Sequence, residues 1–136
     1  MAGTSRELKD RDGIAALAML ARRRERGMRA ALARLAVALR DAETAVDACE
    51  RERDAQHRTW LDALTQGGVY GPREAAGASH SVEQERVSLN EAKARHLRAL
   101  EHARQARAHW LEQQQRLRDN ARKQEKLREL LTCYRA

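Results

Sequence analysis

Apolar residues recur along the chain at alternating spacings of three and four, and this spacing predicts long helices that pack along one narrow stripe. In the first half the series comprises Leu32, Leu35, Leu39, Ala42, Val46, Cys49, Arg53, Gln56 and Trp60. In the second half it comprises Leu89, Ala92, His96, Ala99, Ala103, Ala106, Trp110, Gln113, Leu117, Asn120, Gln124, Leu127, Leu131 and Tyr134. A sustained period of 3.5 residues is typical of a left-handed coiled coil. We call these positions the seam.

One interruption separates the two series. Residues 67–80 contain most of the glycines and the only proline, and both residue types end helices. Ser81, followed three residues later by Gln84, matches a capping box that starts a new helix. The predicted fold is therefore all-α, an antiparallel two-helix coiled-coil hairpin. A turn centred near residue 73 would place Trp110 opposite Ala36.

The predicted hairpin is a single domain that uses the whole chain, residues 1–136. Its first arm covers about 5–66, its loop 67–80 and its second arm about 81–135. Because each arm can pair with the other, we expect an extended monomer when the protein is free. Polar seam residues such as Arg53 and Gln113 set the register at a cost in stability. Two interpretations of this weak seam remain open: a partner covers part of the hairpin, or the protein is a weakly packed coiled coil without one.

Composition argues against an enzyme. The apolar fraction of 42% rests on 26 alanines, phenylalanine is absent, and tryptophan and tyrosine total four. Such small side chains cannot fill the interior of a compact globule, and a two-helix hairpin encloses no pocket. The glycines form no phosphate-binding loop, and the five histidines lack metal-site spacing. We expect no catalytic residue, no metal, no cofactor and no small-molecule substrate.

Cysteine and hydropathy patterns indicate a cytoplasmic protein. Cys49 and Cys133 would lie far apart along the hairpin, so no disulfide is expected between them. No stretch approaches the roughly 20 apolar residues of a membrane span. The short apolar run Ile14–Leu20 is assigned to the seam, which disfavours attachment to a membrane surface.

Acidic residues form a stripe on the first arm that resembles a carboxylate site. Arginines interleave with it, so we interpret it as a salt-bridged solvent face. The stripe is Glu43, Asp47, Glu50 and Asp54, and the arginines are Arg51, Arg53 and Arg58.

Positive charge is concentrated at the two ends of the sequence. The chain carries a net charge of +7, with +6 in residues 1–40, −2 in residues 41–109 and +3 in residues 110–136. A hairpin brings the two basic segments together at the end that carries both termini. We name the following ten residues the basic cluster and predict that they bind a partner: Arg22, Arg23, Arg24, Arg26, Arg29, Arg116, Arg118, Arg122, Lys123 and Lys126. At the loop end, Trp60, Val69 and Tyr70 are predicted as a second contact site.

These features resemble the FliJ/YscO stalk proteins of flagellar and type III secretion export systems. The likeness covers two long arms, a glycine-rich turn at 67–80, the basic Arg22–Arg29 region and the C-terminal run RKQEKLREL, Arg122–Leu130. Arg128 departs from the family pattern, in which an acidic residue is usual at that place. The arginine-rich and alanine-rich composition is typical of a GC-rich proteobacterium. Within the resemblance we favour an injectisome of the Hrp type, and hence a role in virulence, over a flagellum.

The resemblance implies a cytosolic central stalk at the inner-membrane export apparatus. Family members bind the hexameric export ATPase with the end that carries their termini, and they also contact the export gate and secretion chaperones. Under this hypothesis the basic cluster is the ATPase-binding site. Two alternatives remain open. One is a basic coiled-coil protein that binds nucleic acid, which the absence of aromatic stacking platforms disfavours; the other is a structural coiled-coil scaffold.

Overall fold

The computed structural model describes residues 2–66 and 72–135, and these residues form two α-helices. Helix α1 spans Ala2–Thr65 and helix α2 spans Pro72–Arg135. Contacts between them run in opposite directions along the chain, because Glu43 pairs with Arg107 while Glu52 pairs with Arg95. The predicted all-α, antiparallel two-helix hairpin is therefore confirmed.

Contacts between the helices group into two units, each of which contains a stretch of α1 and a stretch of α2. Unit 1 comprises Met1–Val37 and Ala108–Ala136, and unit 2 comprises Ala38–Arg107. All the contacts between α1 and α2 described below lie within one unit or the other.

In unit 1 the predicted seam residues face the partner helix. Ala18, Ala21 and Asn120 are buried, and the predicted positions from Leu32 onward are half-buried. Asn120 Nδ2 donates a hydrogen bond to the Ala21 carbonyl oxygen at 2.9 Å. A polar group thus lies inside the seam with a backbone partner, as its burial requires.

Tyr134 is the exception, because the prediction that it lies in the seam is wrong. Its side chain is 39% exposed. Residues 5–13 of α1 are exposed and Ile14 is the first that is half-buried, so α1 presents no apolar seam residue at this level.

In unit 2 the predicted seam is confirmed. Ala42, Leu89, Ala92 and Ala106 are buried, and the remaining predicted positions are half-buried: Leu39, Val46, Cys49, Arg53, Gln56, Trp60, His96, Ala99 and Ala103. Arg53 Nη1 lies 3.2 Å from His96 Nδ1 across the seam. These contacts agree with the predicted register to within about one and a half helical turns.

The second helix begins earlier than the sequence predicts. The loop was placed at 67–80 and the second arm at about 81–135, but α2 begins at Pro72. Proline is well tolerated at the first helical position, where its missing N–H costs no hydrogen bond, and the following residues include three alanines. The capping-box assignment of Ser81 is therefore wrong, because that serine lies inside α2.

The first turns of α2 lie beyond the end of α1. In unit 2, Glu52 contacts Arg95 and Arg53 contacts His96, so the same register puts Thr65 level with about residue 83 of α2. Residues 73–77 are accordingly exposed. This exposed segment is about one and a half turns of helix, and Ala78 is the first half-buried residue after it.

Two helices cover only a limited part of each other's surface. The chain exposes 10431 Å², against roughly 7200 Å² expected for a compact monomeric protein of 15.5 kDa. Within the described residues, neither helix has a stretch long and apolar enough to cross a membrane.

Candidate functional site

The ten residues of the basic cluster all lie in unit 1 and are all exposed. Five come from the first half of α1 and five from the last part of α2. The antiparallel pairing brings these two segments side by side, because Asn120 contacts Ala21 and Gln124 contacts Glu25. The structure thus places the cluster at the end of the hairpin that the charge distribution indicated.

The five arginines of α1 do not form one surface. Arg22, Arg26 and Arg29 recur at spacings of four and three, so they share one stripe beside the seam. Arg24 lies two residues from both Arg22 and Arg26, and residues two apart do not face each other on a helix. Arg23 projects from the face opposite the seam. Positive charge is therefore distributed around the circumference of unit 1.

A groove between the helices adds a cation that the sequence analysis left out of the cluster. It has a volume of about 240 Å³. Ala18 and Arg22 of α1 line one side, and Gln124, Arg128, Leu131 and Thr132 of α2 line the other. Arg22 follows the seam residue Ala18 by four positions, and Arg128 follows the seam residue Gln124 by four positions. Because Arg128 has the same position relative to the seam as Arg22, the sequence could have identified it as a further member of the cluster.

Three members of the cluster form ion pairs within their own helix. Arg29 Nη2 lies 2.9 Å from Glu25 Oε1, Arg116 Nη2 lies 2.8 Å from Glu112 Oε1, and Arg122 Nη1 lies 3.7 Å from Asp119 Oδ1. Each of these pairs is exposed on at least one side, so each contributes little to stability.

The other seven members, and Arg128, form no ion pair with any carboxylate that the structure describes. They are Arg22, Arg23, Arg24, Arg26, Arg118, Lys123 and Lys126. An anionic partner could bind these side chains without first breaking an internal ion pair. Unit 1 therefore presents positive charge that a negatively charged surface can bind.

Glu25 is the acidic residue closest to the seam in this region. Gln124 Nε2 donates a hydrogen bond to Glu25 Oε2 at 3.1 Å, and Arg29 bonds to Glu25 Oε1. The hydrogen bond from Gln124, followed by that from Arg29, lowers the pKa of Glu25 below its ordinary value of 4.5. The ionised carboxylate links α1 to α2 and holds Arg29 in place.

The second predicted contact site, at the loop end, is described only at Trp60. Its side chain is half-buried in the seam, and its ring centroid lies 6.0 Å from that of His57 at an interplanar angle of 47°. Among the described residues its Nε1 has no hydrogen-bond partner. Val69 and Tyr70 lie outside the described residues.

Three of the four residues of the acidic stripe form ion pairs that the structure describes, two of them with the predicted Arg53 and one with Arg107 of α2. Arg107 of α2 pairs with Glu43 at 3.2 Å, and Arg53 pairs with Asp54 at 2.9 Å and with Glu50 at 3.9 Å. Of the two other interleaved arginines, Arg51 donates to the Asp47 carbonyl oxygen at 3.4 Å, and Arg58 forms no ion pair with a described residue. In the part of the chain that the structure describes, no group of three or more histidine, cysteine or acidic side chains could hold a metal ion.

Comparisons of the chain with protein-family models, with curated proteins and with solved structures found no match. The two-helix hairpin and the charge distribution of unit 1 are the features of the structure that bear on function.

Proposed function

We propose that this protein is a central-stalk component of a type III protein export apparatus and that its basic cluster binds the hexameric export ATPase. The resemblance to the FliJ/YscO stalk proteins motivates this assignment, and the antiparallel two-helix hairpin is the fold that it requires. In this role the protein supplies no catalytic residue and acts on the ATPase by binding to it.

The observation that carries the proposal is the distribution of positive charge around unit 1. Arg22 and Arg128 flank one groove between the helices, Arg23 lies on the outer face of α1, and Arg24 lies on its other flank. A flat partner can reach only one of these faces at a time. A ring of subunits around a central pore reaches all of them.

Electrostatics would then govern how the stalk enters the ring. Eight cations without a described carboxylate partner attract an acidic or polar pore lining over a distance set by the ionic strength. Such attraction raises the association rate more than it raises the affinity of the final complex. Binding should therefore weaken steeply as salt concentration rises.

The remaining partners belong to the same proposal. The export gate and the secretion chaperones are assigned to unit 2 and the loop end, where Trp60 lies near the end of α1. This arrangement would connect the ATPase to the gate and the chaperones through one helical hairpin on the cytoplasmic side of the inner membrane.

Co-purification tests the proposal directly. The tagged full-length protein and the hexameric ATPase encoded beside it are co-expressed and purified at 50 mM and at 500 mM sodium chloride. We expect a complex at low salt that is depleted at high salt. Failure to form a complex at low salt, together with tight salt-sensitive binding to arbitrary double-stranded DNA, would support the nucleic-acid-binding alternative instead.

A further inference from the structure

The outer face of α1 in unit 1 carries an apolar surface that the sequence analysis assigned to the seam. Within the run Ile14–Leu20, Ala18 is buried, Ile14 and Ala15 are half-buried, and the other four residues are exposed. Leu17, Met19 and Leu20 are 55%, 65% and 39% exposed. We name the exposed residues of the segment 13–20 the apolar belt: Gly13, Ala16, Leu17, Met19 and Leu20.

Charged side chains border the apolar belt on both sides along the helix: basic residues lie on each side, and the exposed Asp12 lies four residues before Ala16 on the same face. Lys9 precedes Ala16 by seven residues and Arg23 follows it by seven, so the three share one line on the helix surface. Arg26 stands in the same relation to Met19. Ala16, Met19, Leu20, Arg23 and Arg26 line one continuous shallow surface.

The cations around the belt are available for binding. Lys9, Arg23, Arg24 and Arg26 are exposed and form no ion pair among the side chains that the structure describes. A helix whose exposed face combines leucine and methionine with arginine and lysine is typical of segments that lie in the plane of a membrane surface.

We propose that this face of α1 binds the surface of an anionic lipid bilayer, with the helix parallel to the membrane plane. Arg23 and Arg26 would contact lipid phosphates, and Met19 and Leu20 would insert at the boundary between headgroups and acyl chains.

Two features favour a bilayer over other acidic partners. Phosphate contacts to nucleic acid need cations but make no use of exposed leucine and methionine side chains. The belt is also convex, since it lies on the face of a single helix directed away from α2, and a planar, deformable surface can contact such a face without a preformed groove. This inference does not depend on the ATPase, although both partners would compete for Arg23 and Arg26.

Vesicle sedimentation tests the inference with the full-length chain. Binding is measured to vesicles of phosphatidylglycerol and phosphatidylcholine, to vesicles of phosphatidylcholine alone, and to double-stranded DNA. One variant removes apolar contacts, Met19→Gln with Leu20→Gln. Another removes charge, Arg23→Gln with Arg26→Gln. The matched control, Arg118→Gln with Lys126→Gln, lowers the net charge equally on α2, where both residues are likewise exposed and without a described ion pair.

The expected result is binding to anionic vesicles that falls about 30-fold in the charge variant and about tenfold in the apolar variant. The control should stay within about threefold of the wild type, and circular dichroism should show equal helix content in all four proteins. The inference is overturned if anionic vesicles do not bind, if the control loses as much as the charge variant, or if the apolar variant binds like the wild type. Binding to DNA with no dependence of vesicle binding on Met19 and Leu20 would assign the face to nucleic acid.

Discussion

Replacing Ser81 with alanine distinguishes the observed start of α2 from the start that the capping box predicts. In the structure Ser81 is exposed, lies about two and a half turns into α2, and has no side-chain hydrogen bond among those described. It lies between two half-buried residues of α2, Ala78 and Val82, in a mostly exposed segment. The substitution therefore acts at the point where α2 begins to pack.

The sign of the change in the free energy of unfolding distinguishes the observed start of α2 at Pro72 from the predicted start at Ser81. An alanine inside an exposed helix is better than serine by about 0.5 kcal/mol, so the structure predicts a small gain in the free energy of unfolding. If Ser81 were an N-cap, its loss would cost about 1 kcal/mol. Urea unfolding followed by circular dichroism resolves this difference of about 1.5 kcal/mol.

A control variant tests whether the change in stability is specific to Ser81. Ser79→Ala lies two residues earlier in the exposed part of α2 and should change helix content slightly without lowering stability. A loss of stability of about 1 kcal/mol in Ser81→Ala, with Ser79→Ala neutral, would refute the early start of α2 and restore the predicted loop.

Three further predictions concern stability and reactivity. Gly27 lies in α1 with open space around an added Cβ, so Gly27→Ala should raise the free energy of unfolding by about 1 kcal/mol with an unchanged urea m-value, and a loss would show that this face is covered. The folded-state pKa of Glu25 is lowered, so its contribution to stability is present above its ordinary pKa of 4.5 and disappears as pH falls through the folded value. The free energy of unfolding should therefore fall less between pH 7 and pH 3 in Glu25→Gln than in the wild type. Identical pH dependence in the two proteins would contradict the Gln124 hydrogen bond. Both cysteines are free, with Cys133 exposed and Cys49 half-buried, so a thiol reagent should modify two thiols in the native protein, Cys133 first, and the finding that neither thiol reacts would indicate a disulfide.

The periodicity of the sequence was sufficient to predict the fold. Alternating spacings of three and four identified which side chain faces the partner helix at nearly every position, including polar ones such as His96 and Asn120, because the 3.5-residue period does not depend on residue type. It failed at Tyr134, where the pattern continues but residues 5–13 of α1 are all exposed. The periodicity of one helix does not indicate where the other helix stops packing against it.

Other features depend on information that a local pattern lacks. The start of α2 was misplaced because Pro72 can either end a loop or begin a helix, and Ser81 with Gln84 offered a plausible cap. Assigning Ile14–Leu20 to the seam as a block ignored that only every third or fourth residue can face α2. The pairing of Glu43 with Arg107 depends on the register between helices and on side-chain rotamers, neither of which the sequence of α1 contains.

Binding of the basic cluster of unit 1 to the export ATPase is the main role that we propose. Its most direct test measures ATP hydrolysis by the hexameric ATPase at low salt in the presence of the variant Arg22→Glu, Arg23→Glu and Arg26→Glu. A matched variant reverses three exposed arginines of unit 2 that form no described ion pair: Arg40→Glu, Arg58→Glu and Arg98→Glu. With helix content unchanged by circular dichroism, we expect that the unit 1 variant no longer stimulates the ATPase while the unit 2 variant stimulates it like the wild type. Full stimulation by the unit 1 variant would contradict the claim.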